Sequence, residues 1–548
     1  MSRDAQVYDF LGQLERHDRS GRPGRAPVPR QRAYGGIMAG QIGSGRGGFA
    51  GARVDRTTED WQPGTIGPNL LHRMDARMLR ERARNLVLDN PLAKGGVEAY
   101  VNNVIECGIT PKPQFEDRDS RRRWTDAWDI WGGRFEPQAD ITGCQTIYEL
   151  QALWLEEIII GGGCLLHFVD LPRDPSRLLP LGIELLPEER FADDADNYII
   201  WRNSRKGENP ITRGVETDPA TGRAVAYWVT PTHPNDLGSS HTKPIRLPAE
   251  RCRYAFFKKR AGQVRGWSMM HAAISWLWKL GYFTDNELMA SAIKSCFGVV
   301  ISGEDDDGEF SGLSDEESSS TFTDVYGNTL EKMQPGIVAR IGKDSKITAV
   351  GPNTPGGEAE SWILLIERSI GVALDLSYEE LARDYSQGNF SSTRASANAD
   401  RRRFRRMQRF VVSHFCMPVW KQFAMSASRV GVDGFPRPSQ LVADLDEWLR
   451  VTFRTPGWQS VNPVDDAKAN EINLSIGTTT RERITADAGT GDVEENFEQL
   501  AREEDHADAL DIDISGGREA APAAATVTQE NEGASQPQPT NSRSRRRA

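Results

Sequence analysis

Residues 384–396 read Asp384-Tyr385-Ser386-Gln387-Gly388-Asn389-Phe390-Ser391-Ser392-Thr393-Arg394-Ala395-Ser396. Ser, Gly and Asn make this a loop by composition. A spacer built only for flexibility dispenses with aromatics, whereas this one carries Tyr385 and Phe390. The residues describe a loop that touches something while staying mobile. Its only cation is Arg394. A loop that grips phosphates needs several cations, so Ser, Asn and Gln here suit weak, exchangeable hydrogen bonds.

Helical patterns flank the loop on both sides. Upstream, residues 358–383 place Ile363, Ile366, Ile370 and Leu374 on one side of a long helix. Downstream, a helix to about Val430 carries Arg401, Arg402, Arg403, Arg405, Arg406 and Arg409. Arg402, Arg405 and Arg409 share one face, while Phe404, Met407 and Val411 lie nearer another. Salt bridging with the chain's many acids is the plainer reading of that basic face, and contact with DNA is the alternative.

Further out, Trp267–Phe297 is an unbroken helical run, which at 1.5 Å per residue would be roughly 45 Å long. Between it and the second long helix lies a short β-containing module, 298–355, with an acidic insert: Glu304, Asp305, Asp306, Asp307 and Glu309, then Asp315-Glu316-Glu317. The insert reads first as a solvated surface loop. It also suits contact with a basic protein. It lacks the spacing of an EF-hand.

Towards the N-terminus, residues 163–257 read as β-rich, with strand signals at Cys164–Val169, Tyr198–Arg202, Val225–Val229 and Tyr254–Phe257. Gly214–Glu216 and Ala224–Trp228 flank a polar turn and form a hairpin. Trp124, Trp128 and Trp131 fall on one helical face. A further helix spans about Ile147–Ile160. Met74, Met78, Leu79, Ala83 and Leu86 follow helical spacing in a segment that Asn90-Pro91 divides and Gly108 ends. After Trp458 the chain is helical and acidic; Thr479 to Glu482 fits a capping box, and Asp492, Glu494 and Glu495 suit a helix start.

Both termini are polar. Between Arg16 and Arg53 there are eight arginines and one acid, Asp18. The GxGxxG at Gly43–Gly48 lacks the strand and helix that a dinucleotide site requires. From Ser515 onward no apolar period survives, which predicts a tail without a fold of its own, ending in the basic run Arg543–Arg547.

The 548 residues exceed what one core supports, so several modules are expected. The net charge of −11 argues against a tight sequence-specific DNA binder, though not against a surface that DNA slides past. The 14 tryptophans suit buried interfaces. The six cysteines form no CxxC pair, which points to buried free thiols in a reducing compartment rather than to disulfides or zinc. The N-terminus has no apolar core of a Sec signal peptide. The most apolar run, Ile158–Val169, is too short for a bilayer span, which needs about 20 residues, so no membrane partner is expected. There is no GxxxxGK[ST], GxSxG or HExxH, and the eight histidines do not cluster. No catalytic residue, cofactor or metal ligand is therefore assigned.

Several stretches in order resemble the lambda-type bacteriophage portal family. They are Arg84-Asn85-Leu86 with Asn90-Pro91, Ala93, Val104 and Gly108-Ile109; then Gly222-Arg223, Ala226-Tyr227-Trp228 and His233-Pro234. Next come Arg260 with Gly262-Gln263-Val264-Arg265-Gly266, and Gln334-Pro335-Gly336. The last are Asp384-Tyr385-Ser386, Asn389-Phe390-Ser391-Ser392 and Arg394, then Trp458, Asn462-Pro463, Asp466-Ala467 and Ala469. Ala261 stands where the family usually has Pro, and Phe390 where Tyr is common.

The resemblance implies an α+β portal-type fold with a β-containing wing, long stem helices, a small α/β clip and a helical crown. It places a flexible arm at 1–65, the wing at 66–266 and the first stem helix at 267–297. The clip follows at 298–355, the second stem helix at 356–383 and a tunnel loop at 384–396. A helix returns to the wing at 397–465, the crown spans 466–514, and a disordered tail runs from 515 to 548. It further implies a non-enzymatic dodecameric ring of identical subunits at one capsid vertex, in the virion and, during assembly, in the host cytoplasm. In such a ring the salt bridges of the basic face run between subunits, and the acidic insert also suits a lumen wall that repels phosphate. The implied partners are double-stranded DNA without sequence preference, a terminase large subunit, a head-completion or connector protein, and the major capsid or scaffold protein. From the residues alone, two other readings stay open: a cytosolic nucleic-acid-processing enzyme with an unrecognised site, and another ring of a virus or secretion system.

Overall fold

The computed structural model describes residues 60, 64–192, 209–236, 243–296, 301–302, 321–323, 329–331, 340–341, 359–386, 388–458, 462–489, 491–510 and 512. The Arg-rich arm, the strand expected at Tyr198–Arg202, Gln334-Pro335-Gly336, both halves of the acidic insert, Gln387 and the tail from 515 lie outside the described residues, as do the side chains of Cys296 and Phe390. The chain divides into two units, Met1–Ile66 and Gly67–Ala548, and all the described helices and strands belong to the second. That unit mixes helix and sheet, with helix predominating.

Two helices open it, α1 (Pro68–Asp89) and α2 (Pro91–Val104). Asn90 divides them as expected: its side chain caps α2 by accepting from the backbone N–H groups of Leu92 and Ala93, both at 3.0 Å. The buried stripe of α1 is His72, Ala76, Arg80, Ala83 and Leu86, whereas Met74 and Met78 are exposed. Spacing alone put those methionines on the apolar face. The stripe instead runs through two basic residues: Arg80 faces Glu189 at 3.8 Å, and His72 is buried with its pKa lowered by burial.

Strand β1 (Thr110–Pro113) and helix α3 (Arg118–Gly132) follow. The three tryptophans of α3 are buried, as their spacing predicts. Trp124 stacks on Phe435 at 4.0 Å, and Trp128 meets Phe423 edge-on at 5.2 Å. Helix α4 (Ile147–Gly161) starts at a capping box between Thr146 and Glu149. It leads directly into β2 (Gly163–Asp170), the centre of a three-stranded antiparallel sheet flanked by β3 (Leu181–Pro187) and by β8 further along.

A second sheet is formed by β4 (Ile211–Thr212), β5 (Val215–Thr217), β6 (Ala224–Val229) and β7 (Ile245–Pro248) in that order. The expected hairpin is β5–β6, with Val215 opposite Tyr227. Strand β8 (Cys252–Phe256) returns to β2.

The first long helix is shorter than its sequence suggests. A 3-10 turn, Met269–Ala272, precedes α5 (Ile274–Cys296), because Ser268 caps the turn by accepting from Met270 N–H at 3.2 Å. Four short strands then form two pairs: β9 (Ile301–Ser302) runs parallel to β12 (Arg340–Ile341), and β10 (Thr321–Thr323) antiparallel to β11 (Thr329–Glu331).

The second long helix is divided. Helix α6 (Ala359–Leu374) ends, Asp375 takes a left-handed conformation (φ 63°), and α7 (Tyr378–Ala382) restarts at the cap Ser377. Helix α8 (Phe390–Val411) continues through a π turn, Val412–Cys416, into α9 (Met417–Val430). Pro418 explains the wider turn. It has no N–H for the His414 carbonyl, and its ring crowds that oxygen.

Helices α10 (Pro438–Ala443) and α11 (Leu445–Trp448) lead to β13 (Val451–Arg454), which pairs antiparallel with the distant β1. Helices α12 (Pro463–Ser475), α13 (Arg481–Ala488) and α14 (Val493–Ala509) close the chain. The cap of α13 is Thr480 rather than Thr479: its side chain accepts from Arg483 N–H at 3.2 Å.

The main core joins α1–α4, the β2 sheet, the base of α5 and the α8–α9 helix; a smaller one lies between the two sheets. Cys164, Cys252 and Cys416 are buried free thiols as expected, but Cys107 and Cys144 are exposed. Both lie in turns at helix boundaries that cover no core.

Candidate nucleic-acid interface

The 384–396 stretch does not form one loop. Arg383, in a left-handed conformation (φ 55°), ends α7, and α8 begins at Phe390. Asn389 and Ser392 form a reciprocal cap: Ser392 N–H donates to Asn389 Oδ1 at 2.8 Å, and Asn389 N–H donates to Ser392 Oγ at 3.0 Å. Ser391, Ser392 and Arg394 therefore belong to the first turns of a helix, and the irregular segment is 383–389. Its Asn-x-x-Ser signature is present in the sequence, but the Ser/Gly/Asn composition outweighs it.

Asp384 organises the loop from its N-terminal side. It accepts from Tyr378 Oη and from Ser386 N–H, both at 2.9 Å, and the bonds from Ser386 hold its carboxyl below the usual carboxylate range. Gly388 sits where a Cβ would lie 2.5 Å from Thr393 Oγ1. Tyr385 points outward and is 54 % exposed.

The loop is anchored at its base by contacts that the sequence does not signal. Ser377 donates from N–H and Oγ to Asp400 at 3.0 and 2.5 Å. Burial pushes the Asp400 carboxyl upward in pKa. Arg403 pairs with Asp375 at 2.9 Å and donates to Tyr100 Oη at 3.3 Å, while Tyr100 Oη donates to the Leu374 carbonyl at 2.7 Å. These contacts fix the break between α6 and α7.

The arginines of α8 fall into two groups. Arg394 pairs with Asp466 at 2.8 Å and Arg405 with Asp487 at 3.0 Å, and Arg405 also lies over the Trp458 ring at 5.6 Å. Among the described residues, Arg402, Arg406 and Arg409 have no acidic partner and are exposed. They stand at i, i+4 and i+7 on one face. Phe404, Met407 and Val411 on the opposite side are buried, as expected. Of the predicted trio, Arg405 is neutralised within the subunit, whereas Arg402 and Arg409 remain available. Arg406, which the sequence pattern did not select, joins them. Arg405 and Arg409 border a cleft of about 470 Å³ closed by Phe453, Trp458 and Asp487.

The 260–266 motif forms a joint rather than an open site. Gln263 is buried: its Oε1 accepts from Lys259 N–H at 2.8 Å, and its Nε2 donates to the Arg265 carbonyl at 2.8 Å. Gly266 lies so close to the Gly162 carbonyl that a Cβ would collide with that oxygen, so only glycine fits. Gly162 has φ 101°, which suits glycine. Arg265 donates through Nε to Glu188 Oε2 at 2.8 Å, and both side chains are buried. Tyr254 Oη donates to the same carboxylate. Nearby, Arg84 bridges Glu157 (2.7 Å) and Glu189 (2.6 Å). His72 lies beside this cluster without a hydrogen-bond partner among the described residues, and burial lowers its pKa to about 3.

Among the described residues no His/Cys/Asp/Glu group could hold a metal ion, and no helix is long and apolar enough to cross a membrane. The family model described as "Phage portal protein, lambda family" matches residues 54–408. The probable portal protein of Halomonas phage phiHAP-1 is 23% identical over 473 residues, covering 83% of this chain and 86% of that protein. Portal protein B of Escherichia phage lambda is 22% identical over 312 residues, covering 52% and 56%. A chain from the neck of a native GTA particle aligns over 77% of this chain and all of its own length, with a TM-score of 0.35 and 13% identity.

Proposed function

The chain belongs to the lambda family of phage portal proteins, a structural family and not an enzymatic one, and on that premise we propose that copies of it close into a dodecameric ring around a DNA channel. The ring occupies one vertex of the capsid, is assembled in the host cytoplasm and stays in the virion. Double-stranded DNA enters and leaves along its axis, driven by a separate terminase whose large subunit docks at the clip, 298–355. A head-completion protein and the capsid or scaffold protein are its other partners.

In this reading residues 66–266 are the wing, α5 and α6 the core of the stem, and 466–514 the crown. The 383–389 loop and the start of α8 line the waist. Tyr385 supplies bulk there, and Arg402, Arg406 and Arg409 supply charge for phosphates or for acids of the next subunit. The acidic clip segment at Glu304–Glu309 offers a contact for a basic motor or connector protein.

One observation carries the ring. Both stem helices present large apolar side chains that no described part of the subunit covers: Trp278, Tyr282 and Met289 on α5, and Trp362, Leu365 and Val372 on α6. Exposed apolar faces of this extent mark association surfaces, and a repeated head-to-tail contact that closes gives a ring. Negative-stain microscopy of the purified protein tests it. Rings with a central hole are expected; a chain that stays monomeric at high concentration overturns the proposal.

A further inference from the structure

The helices of 463–509 are held to the rest of the subunit by ion pairs and a backbone bond, Trp458 N–H donating to the Asp487 carbonyl at 3.1 Å, rather than by a core. Among the described residues, neither hydrophobic cluster contains a member from them. Helices α12 and α13 bury no residue, and α14 buries only Ala507. Meanwhile Val464, Ile472, Ile476 and Phe497 remain more than half exposed.

Among the described residues, the ion pairs across this boundary run one way. The body supplies the cation and the C-terminal module supplies the carboxylate, in every pair from Arg394–Asp466 to Arg118–Glu498. The outer pairs are open to water: in Arg405–Asp487 the side chains are 52% and 61% exposed. Asp492 differs. Its side chain is 5% exposed, it receives Lys112 from β1 and Arg454 from β13, and it caps α14 by accepting from Glu494 N–H at 2.7 Å. The Lys112 ammonium and the Glu494 N–H hold its carboxyl below the usual carboxylate range.

We propose that residues 463–509 form an ionic latch, a module that undocks from the body when its ion pairs are screened while the body stays folded. Exposed pairs lose most of their attraction once the Debye length falls to about 3 Å at about 1 M salt, and no apolar burial among the described residues replaces them. Asp492 is the keystone because it alone joins both paired strands to the start of α14.

Hydrogen exchange on the full-length protein tests the latch. Between about 0.05 M and about 1 M NaCl, amide exchange in 493–509 should accelerate about tenfold or more, while that in 118–132 stays unchanged. Asp492→Asn should accelerate exchange in 493–509 even at low salt. Asparagine caps a helix about as well as aspartate, so this substitution removes the charge and keeps the cap. Exchange in 493–509 that is indifferent to salt and to Asp492→Asn overturns the latch, as does loosening of 118–132 in step with it.

Discussion

Tryptophan does opposite things in two regions of this subunit. On α3 and α9, Trp124, Trp128, Trp131 and Trp420 are almost completely buried against one another and against Phe423 and Phe435. On α5 and α6, Trp278 and Trp362 are 65% and 56% exposed. Helical spacing identifies an apolar face in both places, but it cannot say whether the chain itself or a neighbouring copy covers that face. The core around α3 and α9 is a finished fold, whereas α5 and α6 have the surface of an unfinished one.

The sharpest way to break this contrast is a matched pair of truncations. Trp124→Ala removes a ring packed on four sides and should cost about 3–5 kcal/mol of subunit stability, read as the denaturant midpoint. Trp278→Ala should leave that midpoint within about 0.5 kcal/mol and should reduce ring formation in sedimentation. A substitution on α5 that destabilised the subunit as much as the one on α3 would erase the distinction.

The Glu188–Arg265 pair sharpens the buried side of the comparison. Glu188→Gln leaves a buried guanidinium without its counter-charge and should cost roughly 3 kcal/mol. The double replacement Glu188→Leu with Arg265→Met should recover part of that loss, because buried pairs seldom surpass apolar packing. Thermal unfolding of the single and double variants checks both statements. This joint also shows what the sequence could carry. The order of Gly262, Gln263, Arg265 and Gly266 was visible as a family pattern. Its physical reason, a glycine against the Gly162 carbonyl and an arginine buried on Glu188, involves residues about a hundred and about eighty positions apart, so no local period reveals it.

The same limit explains the other differences. The division at Asn90-Pro91 and the Trp face of α3 are local, and both were legible. The break at Asp375–Ser377 is imposed by Arg403, Tyr100 and Asp400 from other elements, so a continuous helix was the natural expectation. The β1–β13 pair links segments more than three hundred residues apart, one of them containing two prolines. At the candidate interface, the helical face of arginines was legible, but their division into neutralised and available members depends on Asp466 and Asp487.

His72 offers a smaller and more specific test of the buried side. An unfolded histidine titrates near 6.5, and the buried one only at about 3. Below about pH 6.5 the unfolded chain therefore binds a proton that the folded chain refuses, and stability falls as the pH drops towards 3. The loss should amount to about 1–3 kcal/mol by pH 4.5, and it should be absent in His72→Leu. Unfolding curves at several pH values decide it; parallel slopes in the two proteins would mean that another group sets the acid response.

The loop at the head of α8 should show the smallest stability effect and the clearest functional one. Tyr385 is exposed, and its side chain makes none of the described hydrogen bonds that shape its loop, which run through Asp384, Ser386 and the Asn389–Ser392 cap; its carbonyl accepts from Gly388 N–H at 3.2 Å, a backbone bond that alanine keeps. Tyr385→Ala should therefore leave subunit stability within about 0.5 kcal/mol and ring number unchanged, while lowering DNA retention in packaged particles. Removing Ser386–Ser392 as a block would be a poorer probe, since it also deletes the cap of α8. If Tyr385→Ala particles retain DNA as the parent does, Tyr385 is not part of the channel wall, and the charged face of Arg402, Arg406 and Arg409 becomes the better candidate for touching DNA.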